Sequence, residues 1–506
     1  MAALAAAALT APLLIASASP AAARPDDAGK KAEKLARKLV EKSSAKSALG
    51  HLKRFQAIAD SAGGHRAAGS LGHDASAAYV YRLLQKAGFE VSYDAFEFTY
   101  TETLAEKLSV VTPTPRDVVI KAMTYTKSTP EGGIKAPLGV VPADATTGCE
   151  AADYASGTFT GKIALIKRGG CTFADKQAAA AAAGAVGAII HNNTEGALSG
   201  TIGDPAAGRI PTGGVTQKDG EELTAEAAKG EVTVSLEVRE LQEQRTTRNV
   251  IAETRGGDDD RTVMLGSHLD SVAAGPGIND NGSGSAGLLE VALDLAKSHK
   301  KPDNTIRFAW WSAEELGLVG SEDYVAGLSE EQKKQIALYL NFDMIASPNH
   351  GQFVYDGDDS DGTGAGPGPE GSAQLEKQIN DFLDRRGTPH EGTDFTGRSD
   401  YGPFIEVGIP SGGTFTGAEG IKTEAQAKKF GGEAGVAYDA CYHSACDTIK
   451  NIDMSAFDTN IDVIANAVGR YAYDLSSLEK PVESLPTEGD AGSGGGLHDG
   501  HDPVTE

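Results

Sequence analysis

Five short stretches of this chain set acid and imidazole side chains where they could act together. Ser267-His268-Leu269-Asp270, Ser312-Ala313-Glu314-Glu315 and Asn341-Phe342-Asp343 each follow an apolar run, and Gly277-Ile278-Asn279-Asp280-Asn281-Gly282 occupies the turn after His268. Histidine and carboxylates gathered without cysteine thiolate suit zinc or a similar divalent ion held by nitrogen and oxygen. In the pair Glu314-Glu315 adjacent side chains point apart, so one can ligate while the other reaches into a cleft as a base. Asp270, two residues past His268, is placed to accept the second ring N–H and fix the tautomer. The H-E-x-x-H helix of many metalloproteases is absent. The fifth stretch is Cys441-Tyr442-His443-Ser444-Ala445-Cys446. In an exported protein two cysteines so close in sequence are expected to form a disulfide, presenting Tyr442 and His443 on a rigid loop. A Cys-His-Cys zinc site is the rival reading, with only three ligands and oxidising surroundings against it.

These residues need a scaffold that delivers them to one edge. Val263-Met264-Leu265, the run from Ile306 to Trp310 and Ala337-Leu338-Tyr339-Leu340 read as buried strands, with helical stretches at 287–296 and 330–335 between them. Apolar strands alternating with helices imply an α/β sheet buried on both faces. In open α/β sheets the ligand site lies beyond the carboxyl ends of the strands, where His268, Glu314 and Asp343 fall. Upstream, helical patterning runs from Lys30 to Gly64, with Leu52, Phe55, Ile58 and Ala59 on one face. Val80, Leu83, Leu84 and Ala87 mark another helix, which Gly88 ends. Phe96, Phe98 and Tyr100 alternate with Glu97 and Thr99 as in a half-buried strand. Between about 107 and 240 the texture changes to short β-type runs around one Ala-rich helix near 174–183, with Cys149 and Cys171 among them. This block reads as a β-rich module inserted into something larger.

At 506 residues the chain is long enough for at least two domains. Its 46 Lys+Arg against 71 Asp+Glu leave a net charge of −25, which disfavours nucleic acid and anionic membrane surfaces as partners. Residues 1–23 are apolar and end in small residues, the pattern of a secretory signal peptide, so export is expected to end outside the cell. Residues 24–44 are expected to be a propeptide or N-terminal helix, and the Gly/Asp/Pro/Ser-rich residues 476–506 a disordered tail.

Taken together, these motifs resemble those of the secreted bacterial leucyl aminopeptidases, co-catalytic dizinc exopeptidases with a phosphorylase/hydrolase-like α/β core. The residues carrying the resemblance run from Gly266 to Val272, Gly277 to Ser285, Phe308 to Gly317, Leu340 to Met344 and Cys441 to His443. The insert, through Gly161 to Phe173, resembles a protease-associated domain. The resemblance implies a catalytic domain over 45–106 and 241–475 with a mixed central sheet, and a protease-associated domain over 107–240. It further implies that Asp280 bridges two zinc ions, that His268 and Asp343 complete one site, and that Glu315 and His443 complete the other. Glu314 would be the general base, Tyr442 would help hold the oxyanion, and Arg398 and Phe415 match substrate-contacting positions.

The implied reaction is removal of the N-terminal residue from peptides with a free N-terminus by a water activated between the zincs, with Leu, Met and Phe preferred and the chain acting as a monomer. Phe415 with the Gly412-Gly413 pair leaves room for an apolar pocket. Competing readings are a dizinc carboxypeptidase acting on acidic dipeptides, which would need an arginine cluster, and an inactive peptide-binding homologue. Some relatives also bind calcium through two acids after the Cys-Tyr-His loop and one near the N-terminus. Asp458 and Asp462 match the former, but Lys42 falls near the latter. The run Asp356-Gly357-Asp358-Asp359-Ser360-Asp361-Gly362 is a second candidate for calcium, but it lacks the terminal Glu of an EF-hand loop and reads better as a solvated acidic loop.

Overall fold

The computed structural model describes residues 25–482, apart from 145, 156, 195, 363 and 365. The signal peptide expected over 1–23 and most of the expected tail lie outside the described residues. No helix among the described residues is long and apolar enough to cross a membrane.

The helical pattern expected from Lys30 to Gly64 is two helices, Pro25–Val40 and Ala45–Ser61, followed by Leu71–Ala87. Ser44 and Ser70 start the second and third: each hydroxyl accepts the backbone N–H three residues on. Gly88 stops the third at φ 101°, a conformation most side chains would strain. Ala32, Leu35 and Leu39 of the first helix are buried in the main core, against helix Met454–Tyr471. Gly469 permits that approach, since a Cβ there would stand 2.2 Å from the Cα of Ala36. The stretch weighed as a propeptide therefore supplies part of the core.

The strands join into one mixed sheet. From one edge its order is Glu391–Thr393, Phe353–Tyr355, Ser411–Phe415, Ile336–Phe342, Asp258–His268, Asn304–Trp311 and Thr233–Glu253, continuing into the insert. Asp258–His268 runs parallel to both of its neighbours. Side chains alternate between two cores along these strands. Val263, Leu265, Phe308, Trp310, Leu338 and Leu340 face the core that holds the helices Gly282–Lys297 and Met454–Tyr471. Met264, Ala309, Trp311 and Tyr339 face the other, with Tyr401 and Phe404. Burial on both faces is what the near-continuous apolar runs required.

Glu90–Thr112 and Thr233–Glu253 form an antiparallel ribbon, with Glu90 opposite Glu253 at one end and Thr112 opposite Thr233 at the other. Beyond it, Ile134–Val140, Ile163–Lys167, Gly187–His191 and Thr212–Val215 make a second parallel array, accompanied by the helices Phe173–Ala182 and Gln217–Ala227. Cys149 and Cys171 are joined in a disulfide. The limits expected at 107 and 240 fall inside the ribbon, so the backbone is continuous strand at both.

Candidate metal centre

His268 is the last residue of its strand, Asp343 follows Phe342 directly, and Glu314-Glu315 open a one-turn 3-10 helix just past Trp311. Ala313 enters that turn at φ 60°, and the two glutamates diverge from it. His268 Nε2 lies 3.3 Å from Asp280 Oδ1 and 3.2 Å from Asp343 Oδ1. His443 Nε2 lies 3.3 Å from the other oxygen, Asp280 Oδ2, and 2.9 Å from Glu315 Oε2. Each oxygen of Asp280 thus faces a different imidazole. Glu314 belongs to the His268 half, its Oε2 3.8 Å from Nε2.

Main-chain bonds hold the Asp280 loop in this place. Asp447 accepts the N–H of Asn279 at 2.8 Å and of Asp280 at 3.0 Å. Asn281 Oδ1 accepts from Gly284 N at 2.9 Å and Met344 N at 3.2 Å, while its Nδ2 donates to Phe342 O at 3.0 Å. One side chain therefore ties the Asp280 turn to the strand end that carries Asp343. Ser399 Oγ donates to Asp343 Oδ2 at 2.7 Å, leaving Oδ1 toward His268. Asp270 differs from expectation in detail. The nearer acceptor for His268 Nδ1 is the Asp270 main-chain carbonyl at 3.3 Å, with carboxylate Oδ1 at 3.8 Å. That carboxylate accepts the N–H of Glu314 at 3.3 Å instead, linking two of the loops.

The Cys441–Cys446 disulfide closes the loop that presents Tyr442 and His443, whose rings stack with centroids 3.8 Å apart. Arg398 Nη2 donates to the Tyr442 hydroxyl at 3.2 Å, and Nη1 donates to Glu419 at 3.0 Å. Phe415 ends its strand half-buried, its ring centroid 6.3 Å from that of Phe353. The expected role of Gly412-Gly413 in opening a pocket is not what these residues do. Both are inside the strand, where a Cβ on Gly413 would stand 1.9 Å from Asn341 O and one on Gly412 would press on Leu375 and Leu340. They allow close packing of the sheet.

Burial alone would depress the His268 imidazole, yet Asp343, Glu314 and Asp280 hold it well above its ordinary range. Burial likewise works against a charged His443, and Glu315 with Asp280 overcomes it. Glu314 is pushed well above the usual carboxylate range by desolvation, which His268 opposes and Asp343, Asp400 and Glu315 reinforce. These carboxylates crowd a site that calls for positive charge. Two donor groups, His268 with Asp280 and Glu315, and His268 with Glu314 and Asp343, each bring three ligand atoms within 4.8 Å of one another. Asp280 Oδ2 is buried, and no protein donor closes a hydrogen bond on it. Imidazole nitrogens and carboxylate oxygens around such an atom fit a divalent cation.

Residues 249–468 match the model of peptidase family M28, and residues 134–223 match the PA domain. The probable leucine aminopeptidase 2 of Trichophyton verrucosum is 44% identical over 441 residues, 87% of this chain and 86% of that protein. An aminopeptidase of Pseudomonas aeruginosa is 47% identical over 436 residues, covering 83% and 80% of the two chains. The chain belongs to peptidase family M28. It is a peptidase hydrolase of the aminopeptidase type, with a PA domain inserted in a mixed α/β fold. Among solved structures, the aminopeptidase from Aneurinibacillus sp. strain AM-1 matches with TM-score 0.69 and 28% identity, over 86% of this chain and 95% of that one. A zinc aminopeptidase from Bacillus subtilis matches with TM-score 0.63 and 28% identity, over 84% and 94%.

Sequence reasoning missed several residues that shape this M28 site. Asp447, Asn281 and Asn279 act through backbone N–H groups and amides, and Glu419 acts through Arg398; none stands in a ligand-like spacing. The one available signal for Asp447 was its place directly after Cys446. At the positions matched to calcium, both acids have protein partners. Asp458 accepts the Ala45 N–H at 2.8 Å and Asp462 pairs with Arg386 at 2.6 Å. In the acidic run, Asp356 is buried, and its carboxylate accepts the N–H groups of Asp358, Ser360 and Asp361; with Asp358 and Glu376, and with Asp359 and Asp361, it also brings carboxylate oxygens within 4.8 Å of one another.

Proposed function

We propose that this M28 chain is a secreted zinc aminopeptidase that removes a large hydrophobic N-terminal residue, such as Leu, from peptides. The observation that carries this reading is the placement of the two Asp280 oxygens against two different imidazoles. His268 and Asp343 would hold one zinc, His443 and Glu315 the other, with Asp280 shared between them. Zinc bound there supplies Lewis acidity, bringing the pKa of water down toward neutrality and polarising a carbonyl.

Glu314, raised by burial and its acidic neighbours, takes a proton from the attacking water and returns it to the leaving amine. Tyr442 receives a hydrogen bond from Arg398, so its own proton is free to meet charge developing on the substrate carbonyl oxygen. Glu314 and Asp343 offer carboxylates to the α-ammonium that defines a free N-terminus. Arg398 is engaged by Glu419 and Tyr442, which weighs against a carboxypeptidase reading that needs guanidinium for substrate carboxylates. Two disulfides suit an oxidising compartment.

The test combines metal analysis with hydrolysis of an aminoacyl-p-nitroanilide panel and an N-blocked acidic dipeptide. Two zincs per chain and preferred cleavage of the Leu derivative are expected. Cleavage of the blocked dipeptide alone, or a chain that binds no zinc, would sink the proposal.

A further inference from the structure

Arg66 lies between the helices Ala45–Ser61 and Leu71–Ala87, far in sequence from the site and 0% exposed. Its guanidinium points into the loop that joins His268 to Asp280. Nε donates to Pro276 O at 2.9 Å, Nη1 donates to Leu269 O, and Nη2 donates to Gly277 O. The Arg66 backbone N–H donates to Ser271 Oγ at 2.9 Å, and that hydroxyl donates onward to Gly275 O at 3.0 Å. All these acceptors belong to residues 269–277. The loop begins directly after His268 and ends three residues before Asp280. Gly277 turns it at φ 61°, where a Cβ would stand 2.3 Å from Asp280 O and 3.2 Å from Arg66 Nη2. On its other side the guanidinium lies 5.2 Å from the centroid of the Phe55 ring.

The chemistry of the side chain matters. A planar fork can donate in three directions within one plane, and here each direction ends on a main-chain carbonyl of the same loop. Those carbonyls are buried, so losing their donor leaves them unsatisfied and frees the loop to relax. A lysine would carry the charge on a single point and could not span the three acceptors. Asp270, Asp280, Asp447 and Glu315 are the acids whose fields reach the guanidinium; burial lowers its pKa to about 10, which leaves it a cation at neutral pH.

We propose that Arg66 is a positioning residue for the metal centre: its three-way bond to the 269–277 loop holds His268 and Asp280 in ligating register before metal arrives. The inference rests on the two-zinc reading above, and it concerns affinity for the metal rather than the chemical step. Partners behind metal ligands typically contribute about 10–100-fold in metal affinity.

The experiment measures zinc affinity of the full chain by competition with a chelator, alongside the visible spectrum of the cobalt-substituted protein and the apo thermal midpoint. Arg66→Met is expected to weaken zinc binding by at least about tenfold, with kcat recovering at excess zinc. Arg66→Lys is expected to behave like Arg66→Met, because the fork and not the charge does the holding. Ser271→Ala, which leaves the guanidinium in place, should weaken binding by a smaller factor and shift the cobalt spectrum. A lowered thermal midpoint with unchanged zinc affinity and cobalt spectrum would overturn the proposal, as would wild-type affinity in Arg66→Lys. If the Arg66 variants do not fold, unchanged affinity in Ser271→Ala overturns it. Failure of the wild-type chain to bind zinc would instead strike the metal-centre reading itself.

Discussion

The strands around His268 and those of the PA insert share one geometry: both are parallel arrays with helices beside them and loops gathered at the strand ends. They differ in what the loops carry. In the catalytic half, His268, Asp280, Glu314, Glu315 and Asp343 meet where three strands end. In the insert, the strand ends carry Lys167, His191 and Val215, and among the described residues no three acid or imidazole groups of the insert come within ligating reach. Two of its buried polar side chains bond to its own main chain. Lys176 Nζ donates to Thr147 O and Gly169 O, and Gln177 bridges Ala207 O and Arg209 N. Parallel topology provides a place for a site, and side chains in the loops decide whether one is built.

The comparison predicts that changes in the catalytic half remove activity with the fold intact, whereas changes in the insert alter stability alone. The largest effect is expected for Asp280→Ala: activity falls below detection and the chain no longer retains two zincs. Metal analysis showing two in that variant would break the bridging assignment. Glu314→Ala should lose about 10²–10⁴-fold in kcat while keeping its zinc, because a base is removed and the five ligands are not. Loss of metal there would make Glu314 a ligand. Tyr442→Phe should lower kcat by about 10²–10³-fold with little change in KM, the mark of a donor used only as charge develops.

The smallest effect belongs to the insert. Burial raises the pKa of Glu240 to about 7 from its ordinary 4.5, opposed by hydrogen bonds from Gln242 and the Tyr125 N–H. A folded-state pKa above the unfolded value gives stability that is complete below 4.5 and lost as pH rises through about 7. Glu240→Gln should therefore flatten the fall of thermal midpoint between those pH values and leave kcat unchanged. An unaltered slope would show that Glu240 is not what links this module to pH.

Much of the catalytic half could be read along the chain, because its signals are local. A buried strand must be apolar over several consecutive residues, and the residue just past it must sit at the sheet edge, so His268, Glu314 and Asp343 declared themselves by position. Short loops did the same for Cys441 to Cys446. Other features had no local trace. The helical pattern from Lys30 to Gly64 hid a break at residues 41–44, since capping by Ser44 changes the backbone without interrupting the apolar spacing. Gly412 and Gly413 suggested an empty pocket, but their neighbours, Asn341 and Leu375, lie on other elements.

The order of apolar and polar residues was enough to determine the class of fold and to single out the sheet edge where the candidate imidazole and carboxylate side chains fall, since periodicity and strand-end position are properties of consecutive residues. Tertiary structure alone decided that Asp280 offers one oxygen to each imidazole, that Asp447 and Asn281 hold it there, and that a buried arginine from the N-terminal helices clamps its loop. Those contacts join residues separated by up to about two hundred positions, and nothing in the spacing of either partner records the distance that folding closes.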